Sequence, residues 1–269
     1  MSDPAALVAQ GLRKVFFPRT VNEVVALDDI SLEVNPGDFV TVIGSNGSGK
    51  STLLNAIAGT VPLTAGTVWL EGRDITRLAE YMRARSIGRV FQDPRAGTAP
   101  SMSIQENMAM AYMRGHPRGL RPGVPARLKR QMKERLADLD MGLEIRLSTQ
   151  VNKLSGGQRQ AMSLLMATVA EPRLLLLDEH TAALDPKVAA TIMDLTGKIV
   201  QERGLTTLMV THNMEIALRW GNRLIMMHAG RIILDVSGAQ KETLTIPDLV
   251  RKFHEVSGER LAVDRMLLE

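Results

Sequence analysis

The stretch GSNGSGKST, Gly44 to Thr52, follows the apolar segment FVTVI and constrains this chain more than any other part of it. A G-x-x-x-x-G-K-[ST] pattern between a strand and a helix is a cradle for phosphate. Gly44, Gly47 and Gly49 let the backbone turn its N–H groups inward without Cβ clashes, and the helix N-terminus adds the positive end of a dipole. Lys50 is placed to bridge β- and γ-phosphates, and Ser51 offers a hydroxyl to Mg²⁺. Ser45, Asn46, Ser48 and Thr52 complete the nucleotide-contacting loop. The competing reading is a glycine-rich turn with an exposed lysine. At average composition the pattern arises by chance in roughly one chain in a hundred of this length, and the strand-to-helix context lowers that further.

The 269 residues, 45% hydrophobic and 23% charged, suffice for one large domain or two joined ones and argue against disorder. No window approaches the roughly 18 apolar residues of a membrane-spanning helix, and MSDPAALVAQ lacks a basic segment followed by an apolar one. The chain is therefore expected in the cytoplasm unless a partner holds it at a membrane. Cysteine is absent, which excludes disulfides and thiolate metal sites, and the five histidines show no metal-ligand spacing. A net charge of +4 is mild for this size, so no nucleic-acid partner is expected.

The first third reads as strands: LVAQGLRKVF, ISLEV and FVTVIG, then a short helix closed by Gly59, then Thr67–Leu70 and Arg89–Phe91. From about Asp93 to Ala170 the pattern becomes helical. Ser103 and Glu106 have capping-box spacing, residues 116–127 form a Gly/Pro loop, and Leu128, Met132, Leu136 and Leu139 share a packing face. After Asp185, helix and strand alternate as expected for a parallel sheet with crossover helices, and a short helical appendage follows about Gly238.

LSGGQ, Leu154 to Gln158, again sets glycines at a helix start, where Ser155 could equally be an ordinary N-cap. Twenty residues on, LLLLDE reads as a buried strand that delivers Asp178 and Glu179 to the ligand-binding edge of a parallel sheet. Together these motifs resemble the nucleotide-binding cassette of ATP-binding cassette (ABC) proteins over roughly Leu7 to Val236. The resemblance implies an α/β fold: a phosphate-loop NTPase core with a mostly parallel sheet, an N-terminal antiparallel β subdomain and an inserted α-helical subdomain at about 93–165. Residues 1–236 would form the nucleotide-binding domain and 237–269 a C-terminal appendage.

The resemblance also implies roles. Phe16 falls where the family stacks an aromatic on adenine, with Phe17 beside it as the alternative. Gln92 matches the glutamine that touches Mg²⁺ or the attacking water. Ser155, Gly156, Gly157 and Gln158 match the signature that contacts the γ-phosphate of a neighbouring protomer's ATP. Asp178 would hold Mg²⁺, Glu179 would polarise the hydrolytic water, Asp185 matches the loop that crosses between protomers, and His212 matches the γ-phosphate histidine. Read singly, Gln92 could be a strand-end residue, Asp185 a helix cap and His212 a satisfied strand-end ring.

With one phosphate loop and one LSGGQ, two copies must meet head to tail around two ATP molecules. The resemblance further implies a separate membrane permease, its docking surface beside Asp93–Ser101, an extracytoplasmic substrate-binding protein, and a place on the cytoplasmic face of the cell membrane. Import is favoured, and the FQDPRAGT and DEHTAALD wording is similar to cassettes assigned to tryptophan, tyrosine or other small-solute uptake. A soluble assembly ATPase of the iron–sulfur scaffold type is the alternative. His180 stands where the commoner family pattern has proline, and could be structural or could tune Glu179.

Overall fold

The computed structural model describes residues 4–116 and 123–257. In chain order the strands are β1 (Leu7–Phe16), β2 (Val24–Val34), β3 (Phe39–Gly44), β4 (Ala65–Leu70), β5 (Arg73–Asp74), β6 (Ile87–Val90), β7 (Leu174–Asp178), β8 (Thr207–Val210), β9 (Arg223–His228) and β10 (Arg231–Ser237). The helices are α1 (Lys50–Ala58), α2 (Glu80–Arg83), α3 (Ile104–Tyr112), α4 (Ala126–Ala137), α5 (Gly156–Thr168), α6 (Pro186–Arg203), α7 (Met214–Arg219), α8 (Ala239–Glu242) and α9 (Ile246–Ser257). Two compact units result: residues up to Arg83 together with those from Gly204 onward, and Ala84–Arg203. Among the described residues no helix is long and apolar enough to cross a membrane.

In the first unit, β2, β1, β4 and β5 form an antiparallel sheet in that order. β3 lies between β8 and β9 and runs parallel to both, as its uninterrupted apolar sequence demands: all six of its residues are buried. β9 and β10 depart from the expected parallel alternation and form an antiparallel hairpin with His228 opposite Arg231. Only Ala229 and Gly230 separate them, both at positive φ (45° and 79°). Two residues cannot carry a parallel crossover, and this backbone suits a tight hairpin.

Helix α1 ends at Gly59, whose φ of 83° lets its N–H reach back to Ala56. Arg83 is buried beside that terminus and donates to the carbonyls of Ala56 and Ile57, both at 2.8 Å. It thereby satisfies acceptors that a helix end leaves open. The terminal helix α9 buries Leu249 and Phe253 among Ile43, Met214, Ala217, Leu224 and Met226. Its apolar face thus helps to hold the end of β3, the strand that leads into the phosphate loop.

In the second unit, β6 and β7 pair in parallel, with Val90 opposite Leu177. Helices α3, α4, α5 and α6 share a core that includes Ile104, Met108, Met132, Leu136, Leu165 and Ile192. The capping box at Ser103 forms: Glu106 N–H donates to Ser103 Oγ, and Ser103 N–H donates to the Glu106 carboxylate at 2.7 Å. Met132 and Leu136 are fully buried, Leu128 packs against the same core, and Leu139 lies just beyond the end of α4. Half of the predicted Gly/Pro loop of 116–127, residues 117–122, lies outside the described residues.

Candidate functional site: a phosphate loop and two carboxylates

The phosphate loop is shaped by contacts that exclude side chains. A Cβ on Gly44 would sit 2.2 Å from the Met227 carbonyl oxygen, and one on Gly49 would sit 2.3 Å from that of Ala26. Gly49 also takes φ 101° at the N-cap of α1, where an L-residue would be strained. The Gly230 N–H donates to the Ser48 carbonyl at 3.0 Å, and the Asp28 N–H donates to the Gly230 carbonyl at 2.9 Å. The β9–β10 turn therefore ties the loop to β2.

The Lys50 ammonium turns back over this loop and donates to the carbonyls of Gly44 (2.7 Å) and Ser45 (3.0 Å). Ser48 Oγ is buried with no hydrogen-bond partner. A buried orphan hydroxyl beside a lysine and a helix N-terminus is the arrangement a phosphate oxygen completes. Ser51 and Thr52 open α1, with Ser51 exposed, and Asn46 and Gly47 lie exposed at the loop tip.

In the same unit, His212 leaves β8 at the edge where β3 delivers Gly44: Val42 pairs with Val210, and the Thr211 N–H donates to the Val42 carbonyl at 3.1 Å. Phe16 closes β1 opposite Val24, half-buried, with the Lys14 ammonium 4.8 Å from its ring centroid. Phe17 is two-thirds exposed and has φ 49°.

The second unit gathers the remaining candidates. The β6–β7 register brings Gln92 and Asp178 out of the same strand ends. Asp178 is mostly buried, and Arg89 of β6 approaches it at 3.4 Å while stacking its guanidinium 4.4 Å from the Phe91 ring centroid. Glu179 follows, half-buried, with φ 44°. Asp185 accepts from the Val188 N–H at 3.1 Å and so caps the start of α6.

Ser155 caps α5 in a reciprocal box with Gln158, each bond 3.2 Å, and Gln158 also donates to the Met141 carbonyl. A Cβ on Gly157 would lie 2.5 Å from Val188 Cγ1, so its bare backbone is what brings the signature helix onto the start of α6. Signature and Asp185 loop are thus neighbours. Among the described residues no three His, Asp or Glu side chains cluster as a metal site.

Arg89 was not singled out in the sequence, although a charge within the short buried run IGRVF needs a partner. Thr196 was also missed. It is fully buried in α6, and its Oγ1 lies 3.0 Å from His180 Nε2. Burial pushes the His180 imidazole down to about 4, so the ring is neutral at pH 7. The unfolded chain's imidazole takes up a proton below about pH 6.5, whereas the folded one does so only near pH 4. The unfolded state therefore binds more protons between those limits, and stability falls as pH drops through that window, by on the order of 3 kcal/mol in full. Thermal melts of the wild type and His180→Gln from pH 7 to 4 check this: the wild type is expected to lose stability more steeply, and parallel curves would refute the assignment.

A strand-borne phosphate loop on a parallel sheet, with carboxylates at a second buried strand's end and a Ser155-capped signature helix that opens on two glycines, defines an ATP-binding cassette. The sequence pattern of the ABC transporter family matches residues 27–182. The chain is 45% identical over 238 residues, 88% of its length and 94% of the other's, to the tyrosine transport ATP-binding protein of Clostridioides difficile (strain R20291). It is 35% identical to the phosphonates import ATP-binding protein PhnC of Frankia casuarinae, over 86% of this chain and 90% of that one. Among solved structures, the dimeric post-hydrolysis state of the ATP-binding cassette MJ0796 bound to ADP and Pi matches with a TM-score of 0.73 and 28% identity, over 86% and 98% of the two chains. The chain belongs to the ABC transporter family. Within it, this is the ATP-binding and ATP-hydrolysing subunit.

Proposed function

We propose that this subunit powers import of an amino-acid-sized solute, tyrosine or a similar molecule, through a separate membrane permease on the cytoplasmic face of the cell membrane. The observation that carries the reading is near end-to-end identity of 45% with a tyrosine transport ATP-binding protein. A substrate-binding protein outside the membrane completes such an importer.

Two copies meet head to tail, each supplying its phosphate loop to one ATP and its Ser155–Gln158 signature to the other. Support comes from the dimeric form of the MJ0796 cassette and from the exposed position of Ser155 at a helix N-terminus. Phe16 stacks on adenine, for which its half-buried ring suits better than the solvent-facing Phe17. By the family resemblance Ser51 in the first unit, and Gln92 and Asp178 in the second, are the residues that would hold Mg²⁺, which would neutralise phosphate charge; hydroxyl, amide and carboxylate oxygens are each donors of the kind this ion takes.

Glu179 accepts the proton of the hydrolytic water, His212 contacts the γ-phosphate, and Asp185 reports across the dimer. The nucleotide-binding domain spans 1–236, and α8 and α9 belong to the appendage that follows. Tagged protein drawn from detergent-solubilised membranes is expected to bring an integral permease with it, and proteoliposomes of that complex plus its binding protein should take up labelled tyrosine only with ATP. Recovery of a soluble scaffold protein in place of a permease would overturn the reading.

A further inference from the structure

Residues 179–185 connect the end of β7 to α6, and within them His180 alone is buried, at 2% exposure. The others are half-buried or exposed. The His180 ring reaches into α6 and meets Thr196, itself fully buried, at 3.0 Å. Thr196 Oγ1 also donates to the Ile192 carbonyl at 2.7 Å. A hydroxyl has a single proton, and here it is given to that carbonyl, so toward the ring Thr196 is an acceptor. His180 Nε2 therefore carries the hydrogen and donates it.

Glu179, immediately before this ring, has φ 44°, a conformation that costs a non-glycine residue on the order of 1–2 kcal/mol. Such a backbone persists only where its surroundings over-determine it. Within the turn, the Ala182 N–H donates to the Glu179 carbonyl at 3.0 Å and the Leu184 N–H to that of Thr181 at 3.2 Å. A proline at 180 would stiffen the turn through its own ring, and histidine has no such constraint. The tether to α6 takes over that task from outside the turn.

We propose that His180 is a positioning residue for ATP hydrolysis, whose hydrogen bond to Thr196 fixes the turn at Glu179 and the following Asp185 loop to α6 in one geometry. The proposal rests on Glu179 being the general base. A catalytic group displaced by about 1 Å can lose up to 10²-fold in rate. The His180 ring bonds to Thr196 of α6 within its own unit, and KM for ATP is expected to be insensitive to it.

The test uses the full-length chain and compares kcat, KM for ATP and thermal stability in Thr196→Val, Thr196→Ser, His180→Leu, His180→Gln and Glu179→Gln. Thr196→Val keeps the shape and removes the acceptor; kcat is expected to fall about 5- to 50-fold, with KM within about twofold. Thr196→Ser, which keeps the hydroxyl, should restore most of the rate. His180→Gln, which keeps an N–H donor, should exceed His180→Leu in kcat, and this pair carries the test if Thr196→Val does not fold. Wild-type kcat in Thr196→Val, or a loss that Thr196→Ser does not recover, would overturn the positioning role and leave a purely structural bond. If Glu179→Gln is inactive while Thr196→Val is normal, the positioning role alone fails; if Glu179→Gln turns over normally, the general-base reading fails and takes the proposal with it.

Discussion

Glu179→Gln is expected to bind ATP as the wild type does and to hydrolyse it about 10²- to 10⁴-fold more slowly, the range a general base contributes. The substitution keeps side-chain volume and a hydrogen-bonding head while removing the capacity to take a proton. Glu179 stands directly after the buried strand Leu174–Asp178, where parallel sheets place their ligands. The close approaches at Gly44 and Gly49, the Lys50 bonds to the Gly44 and Ser45 carbonyls and the orphan Ser48 hydroxyl arise among residues 26–50 and the 227–230 segment, and removing one proton acceptor at Glu179 leaves these determinants in place. Binding and chemistry should therefore separate. Equilibrium binding of labelled ATP together with single-turnover hydrolysis measures both, and a mutant with near-normal turnover would remove Glu179 from the catalytic role.

What could be read in the sequence was local. The phosphate loop is a contiguous run whose glycines report close backbone approaches, and the Ser103 capping box and the Ser155 N-cap follow from residues a turn apart. Four leucines before Asp178 announce a buried strand because nothing else accommodates them. The unread features depend on residues far apart in the chain. Arg83 closes α1 across more than two dozen positions, and Arg89 meets Asp178 only because β6 and β7 pair in parallel. His180 reads as either a structural ring or a group that tunes Glu179. The ring points into α6, which no spacing rule over DEHTAALD discloses. The Ala229–Gly230 hairpin lacks the usual Asn-Gly signal, so two strands read as part of a parallel alternation proved antiparallel.

Ser155 allows its two readings to be driven in opposite directions by one substitution. As a helix cap, its oxygen accepts the Gln158 N–H, and aspartate caps as well as serine does. Ser155→Asp should therefore leave thermal stability unchanged or slightly raised, since a carboxylate at a helix N-terminus also favours the dipole. As a γ-phosphate contact across a head-to-tail dimer, the same position would set a carboxylate against the phosphate. Replacing one donor at a developing charge by a repelling group is then expected to cost at least 10²-fold in hydrolysis, by comparison with the loss of a single such donor. Ser155→Ala gives the converse: stability falls by about 1 kcal/mol as the cap is lost, with a smaller loss of activity. Thermal melts and steady-state ATPase rates on the three proteins separate the roles, and size-exclusion of Glu179→Gln with and without Ser155→Asp reports ATP-driven dimerisation directly. Because the cap and the phosphate contact make opposite demands on the same side chain, a Ser155→Asp protein that hydrolyses ATP at the wild-type rate would reduce the signature serine to a helix cap.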